Sequence, residues 1–257
     1  MCHSPTLLHT LSRRALQHLF LAASLLAITA LRAAESPLIA LGFTEPIIDV
    51  TLSASVPGII SALNVAEGDR ITKGDVILEL DKRLEELEVD RRKRVMDIRK
   101  MDLDATATLY ETTKAVSKEE LDKKRADFLV SMAEFHMAEE QLNRRHIVAP
   151  YSGIITELRL DVGEATEAYA PLIRLVDPTL CHFECNLEAR LAAPLTLNQA
   201  VRMEIDSGAG PVKVAGVVTF ISPVADKASG LINVKVRFDN SDGRVRPGLA
   251  GRLIIRE

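Results

Sequence analysis

Gly58-Ile59-Ile60-Ser61-Ala62-Leu63 and Gly153-Ile154-Ile155-Thr156-Glu157-Leu158 are two versions of one phrase, 95 residues apart. At the same offset and without a gap, Gly68 falls on Gly163, Asp69 on Glu164, Leu78 on Ile173 and Leu80 on Leu175. Between the copies the composition changes. Residues 75–149 contain neither Gly nor Pro, and Lys82 to His146 is the most highly charged part of the chain, with acids and bases in balance. Gly and Pro interrupt helices, so their absence over this length reads as a helical insert. The pattern predicts one small β unit built from two copies and split by helices.

Working outward, the composition narrows the function classes. The 257 residues allow one large domain or two to three small ones, and 47% hydrophobic residues are ample for packed cores. A net charge of −4 argues against a nucleic-acid partner, which a basic stripe would announce. With no Trp and 4% aromatic residues, stacking platforms for bases or sugars are not expected. Cys2, Cys181 and Cys185 make no disulfide framework. In Cys181-His182-Phe183-Glu184-Cys185 the alternation puts both thiols and Phe183 on one face of a strand, and His182 and Glu184 on the other. A half-buried strand explains that pattern better than a zinc site, which takes four ligands. No metal and no cofactor is expected.

The N-terminus has the order of an export signal: Arg13-Arg14, an apolar run from Leu19 to Leu31, then Ala33-Ala34. The run is 13 residues, short of the ~20 that a spanning helix needs, and an uncleaved anchor is the alternative. Residues 1–34 are assigned to this signal and 35–55 to two extended segments broken at Glu45-Pro46. Residues 56–81 and 147–177 form the two β copies. Glycines at 58, 68, 74, 153 and 163 (Gly58, Gly68, Gly74, Gly153, Gly163) and the pair Pro247-Gly248 are read as structural turns. From 178 to 257, five alternating segments separated by turn signals predict a small antiparallel β-barrel, with one short helix between Glu188 and Leu195.

Residues 82–146 read as a helical hairpin. Ile98, Met101 and Leu109 supply the apolar stripe expected on the first helix, and Leu121, Phe128, Met132, Phe135 and Leu142 that on the second. Ser117 to Glu120 is a capping box, flanked by Val116 and Leu121 as a hydrophobic staple, so the second helix starts at Ser117 or one residue later. His146 is expected to end it, where a cation suits the helix dipole. Helices of about 28 to 30 residues at 1.5 Å per residue make a paddle roughly 42 to 45 Å long. Its length argues for reach toward a partner, with Thr112, Thr113, Lys114, Val116, Ser117 and Lys118 at the docking tip.

The order Gly58-x9-Gly68-Asp69-x4-Gly74-Asp75, hairpin, Ala149-Pro150-Tyr151-Ser152-Gly153-Ile154-Ile155 resembles the periplasmic adaptor subunits, or membrane fusion proteins of the HlyD-like family, of bacterial efflux and secretion systems. Ile221-Ser222-Pro223, Gly230 and Arg246-Pro247-Gly248-Leu249 resemble the family's barrel strands. The resemblance covers roughly residues 38–257. It implies a mainly β fold: a lipoyl-like barrel-sandwich hybrid domain split by the α-helical hairpin, plus a β-barrel that takes in strands from before Val56. It also implies the role of a non-enzymatic periplasmic adaptor associated with the inner membrane. Such an adaptor links an inner-membrane transporter of RND or ABC type to a TolC-like outer-membrane channel, and self-associates into a trimeric or hexameric ring. At the hairpin tip, adaptors that dock such channels carry R-x3-L-x6-S; counting back from Ser117 gives Tyr110 and Thr106 in place of Leu and Arg. Channel docking is therefore expected from the hairpin's shape. Because Glu257 follows closely on the barrel strands, a short form without the further membrane-proximal β domain is expected.

Three rivals stand beside this reading. A lipoyl or biotinyl carrier would present Lys82, in Leu80-Asp81-Lys82, at the turn between half-motifs; the helices occupy that place. An enzyme would need a constellation that His136, His146 and His182 do not form. A stand-alone coiled-coil interaction protein is the third.

Overall fold

The computed structural model describes residues Leu38 to Arg256 except Ala209. The expected export signal lies outside the described residues. The chain runs through β1 (Leu38–Ser53), β2 (Gly58–Leu63), β3 (Arg70–Ile71), β4 (Val76–Leu80), α1 (Arg83–Thr112), α2 (Lys118–Asn143), β5 (His146–Val148), β6 (Gly153–Leu158), β7 (Ala165–Thr166) and β8 (Pro171–Glu188). It continues through α3 (Ala189–Ala192), β9 (Ala200–Asp206), β10 (Pro211–Ile221), β11 (Leu231–Asp239) and β12 (Ala250–Arg256).

The sequence repeat is a structural repeat. β2 and β6, β3 and β7, and β4 and the start of β8 occupy equivalent places in the two copies. Each copy lends its short strand to the other: β2 pairs with β7 through Ile59↔Ala165, and β6 pairs with β3 through Ile154↔Arg70. The exchanged backbone bonds match. Gly163 N donates to Ile60 O and Gly68 N to Ile155 O, both at 2.8 Å. The aligned acids do the same work, Asp69 Oδ2 accepting from Ala66 N at 2.8 Å and Glu164 Oε2 from Asp161 N at 3.0 Å. The repeat extends further back than the quoted phrase. Thr51↔Arg174 on β1–β8 is matched by Glu79↔His146 on β4–β5. A single core results, with Ile60 and Ile155, Leu78 and Ile173, and Leu80 and Leu175 buried as pairs.

Of the glycines read as turns, Gly68, Gly74, Gly163 and Gly248 have φ between 92° and 95°, the left-handed region that a side chain resists. Gly58 and Gly153 do not sit in turns: each opens a strand. At Gly153 a Cβ would stand 2.7 Å from Val176 O, so close backbone approach, and not turn geometry, requires glycine there.

β1, β12, β9, β10, β11 and β8 hydrogen-bond in that order, and β1 pairing with β8 closes them into an antiparallel barrel. Its interior holds Cys181, Phe183, Cys185 and Leu187 from β8, the face that alternation predicted, against Met203, Val218, Val234 and Val236. Burial pushes the Cys181 thiol up to about 11 and the Cys185 thiol up to about 12. Buried Thr44 has its hydroxyl paired, accepting from Leu249 N at 3.1 Å.

Several boundaries differ from expectation. Glu45-Pro46 does not break the chain: β1 is one strand of 16 residues, with a register shift between Pro46 and Ile48 that absorbs the missing N–H. No break falls at 178 either, because β8 runs 18 residues from the sandwich core into the barrel core. Both strands are roughly three times the usual 5–6 residues. The second helix stops at Asn143, and His146 begins β5 instead of ending the helix, because Leu80 N already takes the Arg145 carbonyl at 2.8 Å. The short helix after β8 is the single turn of α3.

Candidate functional site

The hairpin leaves the β-sandwich from between its two copies, and its base is pinned on both sides. Asp81 N donates to Ile59 O at 2.8 Å. Arg145 bridges the β unit and α1, donating to Pro57 O at 3.0 Å and pairing with Glu85 at 2.5 Å. Lys82, the residue a carrier domain would expose, is tied down instead: its Nζ bonds Glu79 Oε2 at 2.7 Å and His146 Nε2 at 2.9 Å. These contacts fix the direction of the paddle at its root.

Along the paddle, α2 turns Leu121 inward and buried, with Phe128, Met132, Phe135 and Leu142 half-buried on the α1 side. The first helix is different. Ile98, Met101 and Leu109, expected to pack, are 53%, 62% and 45% exposed. The face of α1 turned to α2 carries half-buried Val89, Arg92, Leu103 and Tyr110 and buried Thr106. Val89, Met96, Leu103 and Tyr110 repeat at seven-residue spacing along that face, and polar pairs join it to α2 across the hairpin. Arg92 pairs with Glu134, and Asp102 takes Lys124 at 3.4 Å, which sets the register of the two helices through polar groups. Thr106 tolerates burial because its hydroxyl donates to Asp102 O in its own helix at 2.8 Å. Each exposed pair is worth about 0–1 kcal/mol, so they select the register more than they hold it. Of the two apolar stripes on α1, the one through Ile98, Met101 and Leu109 is the outer one.

That stripe remains on the outer edge of α1, where Leu84 and Leu87 extend it, and α2 has a matching outer edge of Leu129, Val130 and Met137. A shallow groove on that edge runs along Ala133, His136, Met137, Glu140, Gln141 and Arg144. Sequence reasoning missed the outer edges as a separate feature; the signal for them was the second heptad phase of α1, read as the inner face. The Glu88 carboxyl, near the base, is held at about 2 by hydrogen bonds from Arg91 and Arg92.

At the tip, Thr112, Thr113, Lys114, Ser117 and Lys118 are exposed and Val116 is half-buried. Ser117 is the N-cap of α2, its Oγ accepting from Glu120 N at 3.1 Å. The threonine hydroxyls turn back on α1, Thr112 to Thr108 O at 2.7 Å and Thr113 to Leu109 O at 3.0 Å. Lys114 has φ 54° and lays its Nζ 4.6 Å over the Tyr110 ring. Of the positions counted back from Ser117, Thr106 faces the partner helix and Tyr110 underlies Lys114, so neither presents a free side chain at the tip.

At the junction of barrel and sandwich lies an open groove of about 610 Å³, lined by Thr44, Asp49, Arg174, Pro178 and Gly248 among others. Asp49 and Arg174 span it with bonds of 2.8 and 2.5 Å, and the guanidinium lowers the Asp49 carboxyl below its ordinary range. His182 lies on the barrel's outer side; burial, with Lys235 and Arg237 nearby, lowers its proton affinity. Among the described residues no group of His, Cys, Asp or Glu could hold a metal, and no helix is long and apolar enough to cross a membrane.

Residues 48–178, just over half of the chain, match the family described as RND MFP, barrel-sandwich hybrid domain. An uncharacterised protein of Haemophilus influenzae is 26% identical over 83% of this chain and 56% of its own length. The solvent efflux pump periplasmic linker SrpA of Pseudomonas putida is 24% identical over 79% of this chain and 56% of its own. This chain thus spans a little over half the length of these relatives. Among solved structures, a MacA–MexA chimeric protein with the Pseudomonas aeruginosa MexA α-hairpin domain superposes with a TM-score of 0.75 at 19% identity. The match covers 86% of this chain and 82% of that one, and at such identity it reports a shared fold.

Proposed function

The chain belongs to the RND membrane fusion protein family, and from that premise we propose that it is a periplasmic adaptor joining an inner-membrane RND transporter to a TolC-like outer-membrane channel for efflux of small molecules. It catalyses nothing in this reading; it positions and couples. The observation that carries the proposal is the paddle: two antiparallel helices of 30 and 26 residues, rooted between the two copies of the β unit and directed away from it. At 1.5 Å per residue the longer helix reaches about 45 Å, a span that serves contact with a distant partner and no local need of the sandwich.

Division of labour follows from the geometry. The barrel and sandwich share β1 and β8, so displacement of one passes to the other through continuous backbone. The tip from Thr112 to Lys118 meets the channel with exposed polar groups, and the transporter engages the β modules. Copies assemble side by side into a trimeric or hexameric ring around the transport path. The periplasmic setting accords with the export signal read in residues 1–34 and with the name of the Pseudomonas putida linker.

Crosslinking in intact cells from a C-terminal tag tests this, with mass spectrometry of the captured membrane proteins. The expected result is an inner-membrane transporter together with an outer-membrane channel. A transporter captured without a channel would remove the docking role of the tip. Capture of neither would overturn the adaptor reading and favour a stand-alone coiled-coil protein.

A further inference from the structure

We propose that Cys181 and Cys185 make the barrel a redox-gated fold: both thiols must be reduced for β8 to take its place, and the closed barrel then shields them from oxidants. The gate belongs to the barrel and operates whatever the hairpin docks. The two thiols sit four residues apart on one strand and share its inward face. At ~3.3 Å per residue, their Cα atoms lie about 13 Å apart along β8. A disulfide needs Cα atoms about 4.4–6.8 Å apart, so the bond and the strand exclude each other. In the unfolded chain only His182, Phe183 and Glu184 separate the pair, and the loop to be closed is short. An oxidising compartment turns such thiols into disulfides.

The folded barrel admits the sulfurs only as thiols. Cys181 is 0% exposed and Cys185 2%. Cys181 Sγ donates to Pro178 O at 3.4 Å and Cys185 Sγ to Val234 O at 3.8 Å, and a disulfide sulfur has no proton to donate. β1 crosses directly over Cys185: a Cβ at Gly42 would stand 2.8 Å from the Cys185 Cβ, which leaves no room for the added group of a mixed disulfide. Burial raises both thiols, so the reactive thiolate is scarce at neutral pH. The cover arrives late. β8 lies between β1 and β11, and β12 joins β1 to the rest of the barrel. Both β11 and β12 follow Cys185 in the chain. A chain delivered N-terminus first, as an export signal directs, exposes both thiols before the strands that bury them have emerged. An oxidant of the disulfide class, such as oxidised glutathione, then completes the step. One cysteine thiolate attacks it and releases one oxidant thiol; the other cysteine thiolate closes the 181–185 bond and releases the second. The two electrons and two protons lost by the cysteines end on those two released thiols. A dithiol reverses the exchange and is itself oxidised to a cyclic disulfide.

The test uses the full chain with Cys2→Ser, which leaves Cys181 and Cys185 as its cysteines. Native protein is incubated with oxidised glutathione, in buffer and in urea above its unfolding midpoint, then alkylated and mapped by mass spectrometry without reduction. The expected result is two free thiols in buffer and the 181–185 disulfide in urea. After urea is removed, the oxidised chain should show no hydrogen-exchange protection in β11, and dithiothreitol should restore it. The double variant Cys181→Ala, Cys185→Ala should regain protection with or without glutathione. A second measurement needs no refolding. Protein captured from intact cells by a C-terminal tag is alkylated on lysis, digested briefly with protease, and the surviving chains are mapped. These should carry positions 181 and 185 as thiols. A protease-resistant chain holding the 181–185 bond would overturn the gate. So would absence of the bond in urea, oxidation of native protein as fast as in urea, or β11 protection in the oxidised chain.

Discussion

Gly58 and Gly153 occupy equivalent positions in the two copies, yet glycine answers to different neighbours at each. A Cβ at Gly153 would meet Val176 O at 2.7 Å, a backbone atom that cannot move without disturbing the β6–β8 pairing. A Cβ at Gly58 would meet Arg145 Nη1 at 3.0 Å and buried Leu80 Cδ1 at 3.3 Å, side-chain atoms that need give by only a few tenths of an ångström. We expect Gly153→Ala to lose about 1–3 kcal/mol of stability, as overpacked sites do, and Gly58→Ala to lose less, under about 1 kcal/mol, by urea unfolding. Equal losses would show that the two half-sites are equally tight. The glycines at 68, 74 and 163 were legible because their turns are local; the demand at 153 was not, because Val176 is far along the chain.

At the scale of elements, the hairpin combines a readable half with an unreadable one. Ser117 as the cap and the inward stripe of α2 follow from residues three and four apart on one helix. The inner face of α1 does not, because α1 carries two apolar stripes and only the pairing with α2, Glu134 and Lys124 included, selects between them. A direct contrast tests the assignment. Leu121→Asp places a charge at a buried position and should cost about 2–3 kcal/mol, unpacking the helices. Ile98→Asp, on the outer edge, should leave hairpin stability within about 0.5 kcal/mol, followed by far-UV circular dichroism in urea. If Ile98→Asp unfolds the hairpin as Leu121→Asp does, the outer-edge placement is wrong.

At the scale of the whole molecule, β1 and β8 make one mechanical body of two cores. Phe183 and Leu175 are eight residues apart on the same strand, one buried in the barrel and the other in the sandwich. The cores should therefore open together. In native-state hydrogen exchange, peptides from β4 and β11 should share one opening free energy, with the hairpin tip exchanging at far lower cost. Separate values for β4 and β11 would show that the long strands bend independently at the junction groove. The sequence by itself determined the split repeat, the hairpin within it, the strand alternation that buries Cys181, Phe183 and Cys185, and the cap at Ser117. All of these rest on neighbours in the chain or on a pattern that recurs at a fixed offset. Only the tertiary structure decided that β1 and β8 run unbroken through both cores, that Gly153 answers to close approach, and that Ile98 and Met101 face outward. Those depend on which distant strand or helix comes to lie alongside, and spacing along one chain does not specify the face that a partner will choose.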